Sequence, residues 1–215
     1  MWEFIDKVIY INLDERQDRR DIMKAFFEKG QIPEDKIVRF PAIRRQVPGL
    51  GCLLSHTSVL ETAKQNGWKN ILILEDDLQW LDFEPAYKQL EELVSKPKWD
   101  TILLTGFYIK YEFPRIYSSL NAGAYLVNES YIDTLLENRK WSIKMRNNFF
   151  NFQKGRYSVD VAWAKLMEKD TWFCLYPCIC SQVDGQSDNN NTQLKASLIV
   201  GIFDRDIHKK VFHKT

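Results

Sequence analysis

Apolar runs and helix-patterned segments alternate along the first half of the chain. Lys7 to Leu13 is almost continuously apolar and β-branched, which predicts a strand buried on both faces. It breaks at its carboxyl end into Asp14-Glu15-Arg16-Gln17-Asp18-Arg19-Arg20. Ile22, Met23, Phe26 and Phe27 then recur at helical spacing until Gly30 and Pro33 stop the pattern. A short strand is expected over Ile37 to Phe40. A helix follows over Cys52 to Asn66, with Leu53, Leu60 and Ala63 on one face and Gly67 ending it. Asn70 to Leu74 is a second apolar strand, running without a spacer into Glu75-Asp76-Asp77. Asp82 with Pro85 opens another helix, and Thr101 to Leu104 supplies another strand. This alternation predicts an α/β fold, a mostly parallel central sheet flanked by helices, whose ligands bind beyond the carboxyl ends of the strands. The second half is less regular. Strands are expected over Ala122 to Val127 and Trp172 to Tyr176, helices over Glu129 to Glu137 and Asp160 to Met167, and a mobile polar loop over Gln186 to Gln193.

Composition narrows the class. The 215 residues carry 30 basic and 29 acidic side chains, so no bulk charge drives binding to nucleic acid or to a membrane surface. The longest apolar runs, Ile71 to Leu74 and Leu198 to Phe203, fall far short of a bilayer span, and acids stand where a signal peptide carries bases. The expectation is a protein without a transmembrane segment, cytoplasmic, with room for peripheral attachment to a membrane. Cys174, Cys178 and Cys180 lack the paired spacing of a structural zinc site, so free thiols are expected for these and for Cys52. Aromatic residues make up 13%, including 7 Trp, which suits either a thick core or a sugar-binding surface.

The acidic triplet is the strongest chemical signal. Two carboxylates about 6 Å apart repel by about 3 kcal/mol at an effective dielectric of about 20, so a compensating positive group is required. A hard divalent cation, Mg²⁺ or Mn²⁺, is one answer. Helix capping is the other, with Asp76 or Asp77 accepting amide hydrogens at the start of Asp77-Leu78-Gln79-Trp80. A phosphate-accepting receiver pocket also begins with two acids after a strand, but it needs a later strand ending in Asp, and Thr101 to Leu104 runs into Thr105-Gly106.

Three segments taken in order resemble glycosyltransferase family 25, which includes bacterial lipopolysaccharide glycosyltransferases and collagen galactosyltransferases. They are Ile11-Asn12-Leu13 with Arg16 and Asp18-Arg19, then Gly51-Cys52-Leu53-Leu54-Ser55-His56, then Leu74-Glu75-Asp76-Asp77. Asp160, Pro177 and Gln182 look like that family's downstream Asp and its P-x-x-x-x-Q segment. Arg44 departs from the pattern, since members often carry an acid there.

The resemblance implies a single GT-A type domain over 1–215, with a nucleotide-sugar-binding half at about 1–110 and an acceptor-side half at about 111–215. It implies a UDP-sugar donor, Mn²⁺ or Mg²⁺, and transfer with inversion to a carbohydrate, glycolipid or glycoprotein acceptor. Galactose is the favoured sugar and glucose is compatible. The implied metal ligands are Asp77 and Glu75, with Asp76 assisting. Asn12, Leu13, Arg16, Arg19, Ser55, His56, Glu75 and Asp76 form the implied donor site, with Arg44 or Arg45 as further diphosphate contacts. Each arginine has an alternative as solvated surface charge. Inversion needs a base, and Asp160 is the candidate, with N-capping as its alternative and Asp184 and Asp188 in reserve. His208 and His213 are candidates for a further metal ligand. Trp80 and Trp163, close in sequence to the acids, are expected to offer aromatic faces to sugar or base rings. The alternative function is a catalytically inactive carbohydrate- or nucleotide-binding domain of a larger glycan-building protein.

Overall fold

The structure is a computed structural model that describes residues 2–81, 84–148 and 154–183, together with 185–186, 193–194 and 201–202. In chain order the elements are β1 (Lys7–Asn12), α1 (Gln17–Lys29), β2 (Ile37–Pro41), α2 (Pro48–Asn66), β3 (Ile71–Glu75), β4 (Leu78–Trp80), α3 (Glu84–Val94), β5 (Thr101–Leu103), β6 (Phe107–Glu112), β7 (Arg115–Leu120), β8 (Ala124–Val127), α4 (Ile132–Asn147), α5 (Val159–Ala162), α6 (Ala164–Lys169), β9 (Trp172–Cys174), β10 (Cys180–Gln182), β11 (Gly185–Gln186), β12 (Gln193–Leu194) and β13 (Gly201–Ile202).

Among the described residues, nine strands form one sheet in the order β13-β6-β7-β9-β5-β8-β3-β1-β2. β1 pairs in parallel with β2 and β3, and β5 pairs in parallel with β9. β8 runs antiparallel between β3 and β5, and β7 runs antiparallel to β6 and β9. Seven strands therefore point one way, and the two reversed strands, β7 and β8, are inserted among them. This is the expected α/β architecture with one consequence the periodicity did not show. Because Leu74 pairs with Ala124, the turn that enters β8 lies at the same edge of the sheet as the carboxyl end of β3.

The pleat divides the core into two layers. Ile9, Ile11, Ile71, Ile73, Tyr125 and Val127 pack under Leu53 and Leu60 of α2, Leu135 and Leu136 of α4, Trp163 and Met167. Val8, Leu72, Leu74, Ile102 and Leu126 face the other way, onto Met23, Phe26 and Phe27 of α1 and Leu90 and Leu93 of α3. α1 stops where the amide of Gly30 bonds the carbonyl of Phe26 at 3.0 Å. α2 stops at Gly67, whose φ of 66° is left-handed and returns its amide to the carbonyls of Ala63 and Lys64. Among the described residues, no helix is long and apolar enough to cross a membrane.

Several expected elements shift. The helix predicted over 129–137 starts at Ile132 and runs on to Asn147, and the one over 160–167 is two short helices broken at Trp163. Leu78 to Trp80 is a strand, paired antiparallel with β10, so Asp76 and Asp77 do not cap a helix there. Trp80 and Trp163 are core residues, not exposed sugar platforms. Trp80 packs edge-on against Trp2 and Phe26, and Trp163 is buried between Tyr125 and Trp172. The polar stretch expected over 186–193 lies outside the described residues except at its two ends.

Candidate active site

The acids converge because three strand ends meet. β1 delivers Asn12, β3 delivers Glu75, and the chain then turns through Asp76 and Asp77 into β4. β4 lies beside β10, where Gln182 faces Leu78, and the amide of Val183 donates to the carbonyl of Asp77 at 2.7 Å. A cavity of about 180 Å³ opens at this edge. Its walls include Leu13, Arg19, Arg45, His56, the acidic triplet and Gln182.

The three carboxylates go to three different partners. Asp76 accepts from Asn12 Nδ2 at 2.7 Å, and burial raises its pKa from the ordinary value although the bond from Asn12 opposes this. Asp77 pairs with Nη1 of the buried Arg19 at 3.1 Å. Glu75 turns one oxygen towards Cys52 and His56 and accepts from Gln182 Nε2 on the other at 3.1 Å. The same Gln182 nitrogen also donates to Asp77 Oδ1 at 3.3 Å. One amide thus sits between two carboxylates, supplying the positive end of a dipole where like charges crowd.

That amide leads on to Asp160. Gln182 Oε1 accepts from Asn121 Nδ2 at 3.1 Å, and the backbone amide of Asn121 donates to Asp160 Oδ2 at 3.2 Å. Asn121 reaches both because it adopts a left-handed φ of 75°, and its Oδ1 closes the turn on the amide of Gly123. Ser158 Oγ donates to the other oxygen of Asp160 at 2.8 Å. Ser158 takes the cap position of α5 and Asp160 lies inside its first turn, so Asp160 is not the N-cap. The segment is held from behind by α4: Arg139 Nη1 donates to the carbonyl of Val159 at 2.6 Å and Asn138 donates to that of Ala162. Arg139 is fully buried, with its guanidinium 4.8 Å over the Trp163 ring.

The remaining expected residues divide between lining the cavity and holding its frame. Asn12 is a buried junction, bonding the carbonyl of Arg16 and accepting from Arg20 and Arg39. Ser55 receives the amide of Ile43 and donates to the carbonyl of Gly51, tying the loop after β2 to α2. Gly51 is required there, because a Cβ would lie 2.3 Å from the carbonyl oxygen of Ile43. Arg16 forks onto Asp18 and does not line the cavity; this hydrogen bond lowers the Asp18 pKa to about 2. Arg44 and Arg45 both line the cavity, and Arg44 also pairs with the exposed Glu15 at the rim. His56 is buried, bonds Tyr125 through Nδ1 at 2.8 Å, and has its pKa lowered by burial, so it is neutral at neutral pH. Asp184, Asp188, His208 and His213 lie outside the described residues.

Fold and site together define an α/β protein with an acidic ligand cleft at the carboxyl ends of its central strands. In sequence the chain resembles glycosyltransferase family 25. A glycosyltransferase 25 family member of Drosophila melanogaster is 28% identical over 113 residues, covering 40% of this chain and 18% of that protein. The chain therefore spans less than a fifth of the length of this relative. No protein-family model matches. Among solved structures, A197 from STIV aligns over 93% of this chain and 99% of its own, at 11% identity and a TM-score of 0.50. That likeness is one of fold. A glycosyltransferase involved in glycosylation of the major capsid of PBCV-1 aligns over 78% of this chain and 80% of its own, at 13% identity and a TM-score of 0.48.

Proposed function

We propose that the chain is a metal-dependent inverting glycosyltransferase. It moves a hexose, galactose in first place and glucose as the compatible alternative, from a UDP-sugar to a hydroxyl of a glycan, lipid-linked or protein acceptor. The observation that carries this reading is the hydrogen-bonded line from Glu75 and Asp77 through Gln182 and Asn121 to Asp160. It joins an acidic cleft to a separate carboxylate, as an inverting transfer needs: the bond from the anomeric carbon to the diphosphate breaks on one face, while the acceptor hydroxyl gives up its proton and bonds to the same carbon from the opposite face. The sequence likeness to the Drosophila protein supports the same class.

The residues fit a hard divalent cation. Glu75 and Asp77 both offer oxygen to a single donor nitrogen, so two hard ligands already face one point. These two residues would hold Mn²⁺ or Mg²⁺, with Asp76 kept in place by Asn12. The ion, when bound, supplies Lewis-acid neutralisation of the charge gathering on the diphosphate. Arg19, buried against Asp77, adds fixed positive charge to that end of the cleft, and Arg45 contributes at its wall.

Asp160 takes the proton of the acceptor hydroxyl as the new glycosidic bond forms. Its two oxygens each accept one hydrogen bond, from Asn121 and Ser158, which fixes the carboxylate plane and leaves a lone pair on each oxygen. The test is a thermal-shift panel of nucleotide sugars with and without Mn²⁺. A donor at about 100 times its dissociation constant adds about 2.7 kcal/mol, a readily visible shift. The expected result is a shift with a UDP-hexose that requires the metal. No shift with any nucleotide sugar contradicts the proposal, and a shift without donor hydrolysis or transfer supports the inactive binding domain instead.

A further inference from the structure

Cys52 and His56 stand four residues apart on α2, so their side chains project from the same face of the helix. That face lies against the carboxyl end of β3. Cys52 Sγ is 3.9 Å and His56 Nε2 is 3.8 Å from Glu75 Oε1, and all three atoms lie within 4.8 Å of one another. Among the described residues, the buried His56 Nε2 has no hydrogen-bond partner, since 3.8 Å is too long for one.

From this cluster we infer a binding site for a soft divalent cation, Zn²⁺ in the first instance, held by Cys52 Sγ, His56 Nε2 and Glu75 Oε1. Thiolate, imidazole and carboxylate are the three ligand types that zinc takes, at about 2.3, 2.0 and 2.0 Å. Tetrahedral placement at those lengths separates sulfur from oxygen by about 3.5 Å and nitrogen from oxygen by about 3.3 Å. The two separations to Glu75 need to contract by about half an ångström or less, and the sulfur and the nitrogen, within 4.8 Å of each other, need to close to about 3.5 Å. A hydrogen-bond partner for the far side of the imidazole is also in place. The Tyr125 hydroxyl meets His56 Nδ1 at 2.8 Å and can donate to it or accept from it. The ring can thus turn an Nε2–H towards Glu75 or a lone pair towards a metal without losing its partner. Three protein ligands leave a fourth position, which opens on the cavity that Cys52, His56 and Glu75 line.

This site is distinct from the hard-cation pair Glu75 and Asp77 in its ligand chemistry and is read without any sugar donor, so its failure leaves the proposed glycosyl transfer untouched. The experiment titrates Co²⁺, as a spectroscopic stand-in for Zn²⁺, into the metal-free full chain. The expected result is one equivalent bound, with thiolate-to-cobalt charge-transfer absorption and the intense visible bands of four-coordinate cobalt. Zn²⁺ should displace it and Mn²⁺ should not. Cys52→Ser should abolish the charge-transfer band and His56→Ala should weaken binding about tenfold or more. In the unmodified chain, Zn²⁺ should also slow alkylation of Cys52 about tenfold or more, read by peptide mass spectrometry. Absence of the charge-transfer band, its survival in Cys52→Ser, or labelling of Cys52 that ignores Zn²⁺ overturns the assignment.

Discussion

Replacing Gln182 with leucine removes the amide that separates two carboxylates and leaves a shorter apolar side chain in its place. The oxygens of Glu75 and Asp77 lie 3.1 and 3.3 Å from one nitrogen, so they are at most about 6.4 Å apart. At that distance and an effective dielectric of about 20, two unit charges repel by about 2.6 kcal/mol. In Gln182→Leu this repulsion loses its local compensation, Asn121 loses the acceptor for its Nδ2, and the partial exposure of both acids softens the effect. The expected loss is about 2–3 kcal/mol, equivalent to about 4–12 °C in a domain of this size. Chemical denaturation in chelator measures it. A second arm with Mn²⁺ follows from the same electrostatics: a cation between the acids replaces the missing dipole, so the deficit should fall by at least half. A loss below about 0.5 kcal/mol in chelator would refute the coupling through Gln182. An undiminished loss with Mn²⁺ would refute the idea that these two acids share a cation.

Three further outcomes are expected. Gly51→Ala should destabilise by about 1–3 kcal/mol in chemical denaturation, because its Cβ meets backbone at Ile43 and not a yielding side chain. Trp163→Ala should cost about 3–5 kcal/mol in the same assay, since the ring is packed edge-on against Tyr125 and Trp172 beneath Arg139. An NMR pH titration should find the Asp18 carboxyl at about 2, returning towards its ordinary 3.8 in Arg16→Gln. The folded-state pKa is depressed, so this pair stabilises the fold above the unfolded value and its contribution disappears as pH falls from about 4 through 2.

What the sequence made legible was whatever depends on local periodicity. The strand runs of Ile9 and Ile73, the stops at Gly30 and Gly67, and the delivery of charged loops to strand ends all follow from the order of apolar and polar residues. The sequence-level choice between capping and ligation at Asp76 and Asp77 was open because Leu78-Gln79-Trp80 is too short to declare its own geometry. Its strand conformation is set by Cys180 to Gln182, about a hundred residues away. The same distance hid Asn121 as a site residue and left Gln182 marked by its likeness to a P-x-x-x-x-Q segment without a role, since neither carries a charge and each acts only through partners brought together by the sheet. Cys52 and His56 share a helix face by their spacing, but they become a candidate ligand pair only when the sheet brings Glu75 of β3 against that face. Trp80 and Trp163 illustrate the opposite error. Closeness in sequence to an acid does not orient a ring towards it, and apolar area drew both into the core.

The central claim is that one end of the hydrogen-bonded line binds the donor and the other moves a proton. The most direct measurement compares Asp77→Asn and Asp160→Asn with the unaltered chain, by calorimetric titration of UDP-galactose in Mn²⁺ and by transfer or hydrolysis of the same donor. Asp77→Asn should lose metal-dependent donor binding, whereas Asp160→Asn should bind the donor as before and lose transfer by about a hundredfold or more. Unchanged donor affinity in the first variant, or full turnover in the second, would contradict the account.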